Sequence, residues 1–275
     1  MDTPYFVNLP CSYIERTPDY LPFFIGHRIP PELGLDAACL ETCDAAWHRA
    51  TAAAFRDAGL PCAVHLAFLD LHPGSGDPII LAATRARLHA CFDAARHYAP
   101  RHLIGHPHYD EAYADQPEAW RERCRTTWAM LLDRWPDHPP LYLENTFDAD
   151  PEPLRDLVDA LRATGHDRVG VCFDAGHWHA FAKGSERRDL DRWLDALGNL
   201  VGHLHLHDND GGEDQHLGLG QGSIPWAALA RGLAARGVRP TATLEPHTEA
   251  SFAHSMAFIT AHPELFADIR TAMPA

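Results

Sequence analysis

Short apolar runs alternate along the chain with longer segments in which apolar residues recur at helical spacing. This order of strand-like and helix-like patterns is typical of parallel βαβ units. The apolar runs predict strands at residues 5–10, 61–71, 102–106, 140–144, 168–174, 200–207 and 240–245. The helical patterns predict helices at residues 44–58, 79–98, 117–135, 151–163, 188–197, 223–236 and 249–261. An eighth strand is expected either at residues 22–26 or near the C-terminus.

The length of the chain fits one barrel built from eight such units. A (β/α)8 barrel needs about 250 residues, and the sequence has 275. No low-complexity linker, block of like charges or internal repeat divides it. We therefore predict an α/β protein with the (β/α)8 TIM-barrel fold, folded as a single domain over residues 1–275.

The composition and charge of the chain limit the partners that it can bind and the cellular compartment in which we expect it. No apolar stretch reaches the roughly 18 residues that suggest a membrane-spanning helix, and the N-terminus lacks the pattern of a signal peptide. We therefore expect a cytoplasmic protein without a membrane partner. The formal net charge of −15 disfavours nucleic acid, whose binding depends largely on neutralising phosphates. The seven cysteines include no Cys-x-x-Cys pair, so we expect reduced, structural thiols.

Carboxylates and imidazoles stand where the predicted strands end. Glu144, Asp174, His205 and Glu245 come from four successive strands. In a parallel barrel all C-terminal strand ends share one face, and the βα loops build the active site there. Carboxylate oxygen and imidazole nitrogen are ligands of Zn²⁺ and Mn²⁺, so these four side chains could hold one divalent ion.

The candidate ligands outnumber the needs of a single ion. Alternation along the sixth predicted strand places His203, His205 and His207 on one face, away from Leu204 and Leu206. Five further candidates bring the set to nine, which two or three ions could use and one could not: His72, His106, His177, Asp214 and His216. A lone histidine at a strand end is more often a hydrogen-bonded structural residue, and we expect that of His65, His102, His108 and His247.

Three segments resemble a known group of enzymes. They are Leu143–Thr146, Val169–Asp174 followed by His177, and the segment in which Asp214 and His216 precede Gly220 and Gly222. Together they resemble the xylose isomerase-like TIM-barrel superfamily, which includes endonuclease IV and many sugar isomerases and epimerases. The resemblance covers about residues 60–250. His207 departs from endonuclease IV, which has asparagine there.

The resemblance implies a metal site and two alternative activities. By analogy with endonuclease IV, it implies nine ligands for three zinc ions: His72, His106, Glu144, Asp174, His177, His205, Asp214, His216 and Glu245. The favoured activity is that of an isomerase or epimerase of a small sugar or sugar phosphate. Its divalent ion, Zn or Mn, would polarise a carbonyl while Glu144 and Glu245 move the proton.

The alternative is a phosphodiesterase with two or three ions, similar to endonuclease IV or to a cobamide-remodelling phosphodiesterase. The acidic net charge would then favour a small phosphoester over duplex DNA. A binding module that has lost catalysis is a third reading, disfavoured by the complete set of acids. The sequence does not predict an oligomeric state.

Overall fold

Parallel strands that pair in chain order close into a barrel. The computed structural model describes residues 3–273. Within this range eight strands follow one another around the barrel, and β1 closes it by pairing with β8. The strands are β1 Phe6–Pro10, β2 Pro31–Gly34, β3 Ala63–His65, β4 Leu103–Gly105, β5 Leu141–Glu144, β6 Val169–Asp174, β7 Val201–Leu206 and β8 Thr241–Leu244. The predicted fold class, a (β/α)8 TIM barrel, is confirmed.

Helices of very different length connect the strands. They are α1 Cys11–Arg16, α2 Tyr20–Gly26, α3 Ala37–Thr42, α4 Ala45–Asp57, α5 Pro78–Ala95, α6 Pro117–Asp133, α7 Glu152–Arg162, α8 Ala175–Ala180, α9 Gly184–Arg187, α10 Leu190–Leu197, α11 Trp226–Ala235 and α12 Glu249–Ala261. Hydrogen bonds from side chains determine the residue at which several of these helices begin. Asp77 accepts hydrogen bonds from the backbone N–H groups of Ile79 and Ile80, and Pro78 occupies the first turn of α5.

The position expected for the eighth strand was wrong. Residues 22–26 lie in helix α2, and in the described C-terminal residues an isolated bridge, rather than a strand, joins Arg270 to Thr241. The missing strand is β2, whose sequence Pro-Glu-Leu-Gly has almost no apolar run to reveal it. The strand expected at 61–71 is also much shorter, because β3 ends at His65 and the chain then enters a loop.

The main apolar core lies between the barrel and the surrounding helices. Trp120 and Trp128 of α6, together with Trp193 of α10, are completely or almost completely buried in it. Gly105 of β4 makes room for one of them, since a Cβ atom there would lie 2.5 Å from the ring of Trp128. All seven cysteines fall in the described range and are free thiols. Over the same residues, no helix has both the length and the apolarity needed to cross a bilayer.

The close approach of α6 to β4 predicts a stability effect. Gly105→Ala forces the added methyl group into the Trp128 ring, and overpacking of this kind costs about 1–3 kcal/mol. Urea unfolding followed by circular dichroism measures the loss. Gly26→Ala is the control, because a Cβ at that position meets no atom within 4 Å. Equal free energies of unfolding for the two variants would contradict the packing described here.

Candidate metal centre

Four strand ends bring their polar side chains into contact at the C-terminal mouth of the barrel. The Nδ1 atom of His205 lies 3.3 Å from a carboxylate oxygen of Glu144, 3.4 Å from one of Glu245 and 3.8 Å from one of Asp174. All four residues are at least 90% buried. The three carboxylates predicted to share a cation with His205 therefore all lie within 4 Å of one atom of that histidine.

Two histidines approach Glu144 from the neighbouring strands. His65 ends β3, and His106 follows β4 directly. Their Nε2 atoms lie 3.3 Å and 3.0 Å from the same oxygen of Glu144 and 3.2 Å from each other. Two imidazole nitrogens and a carboxylate oxygen that converge in this way form a donor set suited to a divalent metal.

Among the described residues, the groups of three donors that could share an ion do not include His72, so its predicted role as a ligand stays a prediction. His72 lies in the loop after β3, and its ring packs against that of His108 with centroids 4.2 Å apart. His65, expected to be structural, stands beside Glu144 instead. The early end of β3 explains the difference, because it places His65 at the mouth while His72 lies further along the loop. The signal available in the sequence was that Val64 is the only β-branched residue between Pro61 and Leu71.

A second group surrounds Asp214. Nitrogens of three histidines lie near its carboxylate oxygens, His216 at 3.1 Å, His177 at 3.5 Å and His207 at 3.6 Å. His207 also lies 3.2 Å from Asp174, and His177 lies 3.2 Å from Glu144. The two groups are therefore continuous. We call the whole set the mouth cluster: His65, His106, Glu144, Asp174, His177, His205, His207, Asp214, His216 and Glu245.

Local hydrogen bonds hold these side chains at the mouth. Asp174 caps helix α8 by accepting from the backbone N–H of His177 at 2.7 Å, which sets His177 one turn beyond the strand. Asn145 joins β5 to β6, donating to the carbonyl of Asp174 and accepting from its N–H. Gly176 is needed here, because a Cβ atom would lie 2.0 Å from the His207 ring.

The loop that carries Asp214 and His216 is anchored at its base by Asp208. The Asp208 carboxylate accepts hydrogen bonds from the N–H of Gly220 at 2.8 Å and from the indole of Trp226 at 2.9 Å. Gly222 packs so closely that a Cβ would lie 2.2 Å from the carbonyl oxygen of Asn209. The loop is thus tied back to the barrel.

Burial and mutual attraction set the charges in the mouth cluster. Burial alone would raise the pKa of Glu144, but the imidazoles of His205 and His106 hold it well below its usual range. Burial lowers the pKa of His106 to about 4, so this ring is neutral at pH 7 with a nitrogen lone pair available. Although burial opposes it, neighbouring acidic groups raise the pKa of His65, His177 and His205, so these rings would release a proton when a metal ion binds.

Unpartnered atoms are a further indication of a cation. Within the described residues, the Nδ1 atoms of His205 and His207 and the Oδ1 atom of Asp214 are buried without a hydrogen-bond partner. Buried polar groups normally have a partner. The donor types and these unsatisfied atoms therefore both fit divalent ions in the mouth cluster.

A second polar layer lies deeper in the barrel, around a residue that the sequence reasoning missed. Glu32 of β2 is 1% exposed. One of its oxygens lies 3.1 Å from Nε2 of His205, while the other accepts from Thr243 at 2.7 Å and lies 3.2 Å from His102. We call Glu32, His102, His203 and Thr243 the Glu32 network.

The Glu32 network is hydrogen-bonded rather than open to a metal. His203 uses both ring nitrogens, at 2.7 Å from the hydroxyl of Thr241 and at 2.9 Å from that of Thr243. Although Glu32, His102 and His203 are close enough to share an ion, His203 has no nitrogen left for one. Glu32 was missed because strand β2 was missed.

Comparison with known proteins agrees with this geometry. The family model described as "Xylose isomerase-like TIM barrel" matches residues 31–262. A probable endonuclease 4 from Mycobacterium bovis is 26% identical over 236 residues, which cover 78% of this chain and 89% of that protein. Two other curated relatives, from Sinorhizobium fredii and Methanocaldococcus jannaschii, are matched over only 24% and 56% of their own lengths.

Solved structures give the same result. The TTHB071 protein from Thermus thermophilus, soaked with ZnCl2, is 26% identical with a TM-score of 0.70, and the match covers 98% of this chain and 100% of that one. A D-tagatose 3-epimerase-like protein shares the fold, with a TM-score of 0.76 at 18% identity over 96% of this chain and 98% of that one. The chain belongs to the xylose isomerase-like TIM-barrel family.

Proposed function

We propose that the protein is a phosphodiesterase that uses two or three divalent ions, zinc or manganese, to hydrolyse a small phosphoester. One observation carries the proposal. The mouth cluster holds ten donor residues in two continuous groups, around Glu144 and around Asp214. One ion takes four to six ligands, so a mononuclear site would leave buried imidazoles and carboxylates without a role.

The ten donor residues can be assigned to two neighbouring positions around Glu144 and to a further side around Asp214. His65, His106 and Glu144 would hold one ion, and His205 and Glu245 would complete a neighbouring position with Glu144 and Asp174. The remaining residues would hold the ion or ions on the other side: His177, His207, Asp214 and His216. Bound ions of this type supply a hydroxide at neutral pH and neutralise the charge of the phosphate.

The chain's own residues would orient the reaction. Glu144 lies near His106 of one group and His177 of the other and would serve as a ligand at their junction. Glu32 would position His205, because its carboxylate faces Nε2 and so turns Nδ1 towards the mouth cluster. Such an outer carboxylate fixes the tautomer and orientation of a metal-binding histidine. The curated endonuclease 4 relative supports the choice of reaction, and the net charge of −15 favours a substrate smaller than duplex DNA.

A sugar isomerase or epimerase is the second candidate. The observation that favours it is that Glu144 and Glu245 both lie beside His205, at 3.3 Å and 3.4 Å from its Nδ1. Two carboxylates that flank one ion could remove and return a proton at a carbon centre. This reading uses one ion and leaves the Asp214 group unexplained, so it ranks second.

Metal content is the first expected outcome. Protein reconstituted with Zn²⁺ and freed of excess metal should contain about two or three ions per chain by elemental analysis. It should hydrolyse bis(4-nitrophenyl) phosphate and lose that activity on chelation. One ion per chain, together with deuterium exchange from D2O into a ketose substrate, would instead support the isomerase.

The different surroundings of His65 and His72 predict different effects when each side chain is removed. His65→Ala removes a donor beside Glu144 and should lower the zinc content by about one ion and the hydrolysis rate by about 100-fold or more. His72→Ala is the matched control and should leave both unchanged, because its ring contacts His108 outside the mouth cluster. The proposed ligand set is wrong if His72→Ala loses the metal and His65→Ala retains it.

The role of Glu32 gives a third outcome. Glu32→Gln keeps the size of the side chain but weakens its hold on the His205 ring, so zinc affinity should fall about 10- to 100-fold. Competition with a chromophoric chelator measures this independently of turnover. The control is Glu41→Gln, which removes an exposed carboxylate paired with Arg87 and should leave affinity unchanged. Unchanged affinity in a folded Glu32→Gln protein would show that the network has no part in metal binding.

A further inference from the structure

A cavity opens beside the mouth cluster, between the loops that follow β4, β5 and β6. Its volume is about 430 Å³, within the range of small-molecule sites. The residues that line it are Asp110, Glu111, Phe147, Phe181, Lys183 and Arg187, with three alanines between them. These loops belong to the same face of the barrel as the proposed metal ligands.

Aromatic contacts join the cavity to the mouth cluster. The ring of Phe181 stacks on the imidazole of His177, with centroids 5.3 Å apart and planes 28° from parallel. Phe147 packs against Phe181 at 4.9 Å and against His108 at 5.6 Å. A molecule held at the metal ions could therefore extend over these rings without leaving the protein surface.

The aromatic wall is open on its outer side. Phe147 is 50% exposed, so part of its ring surface is open to a molecule bound in the cavity. An exposed ring of this kind offers a flat face for a second π-system, and stacking of a nucleobase on an aromatic side chain is worth about 1–3 kcal/mol. The wall thus offers a stacking surface for a planar, unsaturated ring.

The two basic side chains that line the cavity, Lys183 and Arg187, differ in their pairing. Lys183 is the only lysine in the sequence. Within the described residues no carboxylate oxygen lies within 4.0 Å of its ammonium group, whereas Arg187 pairs with Asp150 at 3.3 Å and also donates to the carbonyl of Ala149. Asp110 accepts from the backbone N–H of Ala112. Lys183 is therefore open to an anionic ligand, while the exposed carboxylate of Glu111 suits a hydroxyl donor.

We propose that this cavity holds the non-reacting end of a nucleotide-like substrate. An aromatic heterocycle stacks on Phe147 and Phe181, and a second anionic group of the same molecule pairs with Lys183. The inference rests on the proposed function, which puts the reacting phosphodiester at the mouth cluster. It adds the chemical class of the group attached to that phosphodiester.

Three esters with one leaving group test the proposal on the zinc-loaded protein. They are methyl 4-nitrophenyl phosphate, thymidine 5′-(4-nitrophenyl phosphate) and its 3′-phosphorylated form. In each case water adds to phosphorus, the bond to 4-nitrophenolate breaks, and the released proton passes to the buffer. We expect kcat/KM to rise about 10-fold on adding thymidine and further on adding the 3′-phosphate.

Single variants should remove these gains separately. Phe147→Ala should lower kcat/KM for both thymidine esters by about 5-fold or more and leave the methyl ester within about twofold. Lys183→Met should remove only the advantage of the 3′-phosphate. Phe23→Ala is the matched control, because Phe23 is 41% exposed and does not line the cavity. Equal losses on all three esters, or no preference among them in the parent protein, would overturn the assignment.

A binding measurement separates this proposal from the proposed function. Calorimetry with thymidine 3′,5′-bisphosphate needs no turnover, and binding that is weakened by Phe147→Ala and by Lys183→Met would support the cavity even if no ester is hydrolysed. Hydrolysis of the methyl ester without such binding would leave the phosphodiesterase standing and reject the nucleotide subsite. Absence of both would reject both.

Discussion

Buried negative charge is the constraint on which the mouth of this barrel depends. Glu32, Glu144 and Asp174 are each at most 1% exposed, and an isolated carboxylate in such a position is very costly. Imidazoles at the ends of β3, β4 and β7 surround these acids and reduce the free-energy cost of burying their negative charge. Cations would satisfy the buried atoms that remain without a hydrogen-bond partner. Metal binding would therefore also stabilise the folded mouth of the barrel.

The polar groups lie in two layers with different duties. In the deeper layer the Glu32 network is closed by threonine hydroxyls, and its hydrogen bonds are used within the protein. In the outer layer the donor atoms point at one another across short gaps. His205 spans both layers, with one nitrogen towards Glu32 and the other towards Glu144. The inner layer thus gives the outer one a rigid base.

Much of the fold and part of the site could be predicted from sequence because both follow from strand periodicity. The long apolar runs indicated seven strand positions, and the shared direction of parallel strands implied that Glu144, Asp174, His205 and Glu245 would meet. Glu32 was overlooked because the sequence of β2, Pro-Glu-Leu-Gly, has almost no apolar run. The end of β3 at His65 was missed because apolar residues continue along the chain to Leu71.

The separation of cavity from mouth cluster has an evolutionary consequence. Most of the cluster is carried by strand ends or by residues directly beside them, whereas the cavity is lined by residues that lie further along the loops after β4, β5 and β6. Replacements at the cavity positions of these loops would therefore change what the proposed subsite recognises and leave the proposed metal ligands in place. A family arranged in this way can diversify its substrates without rebuilding its inorganic chemistry.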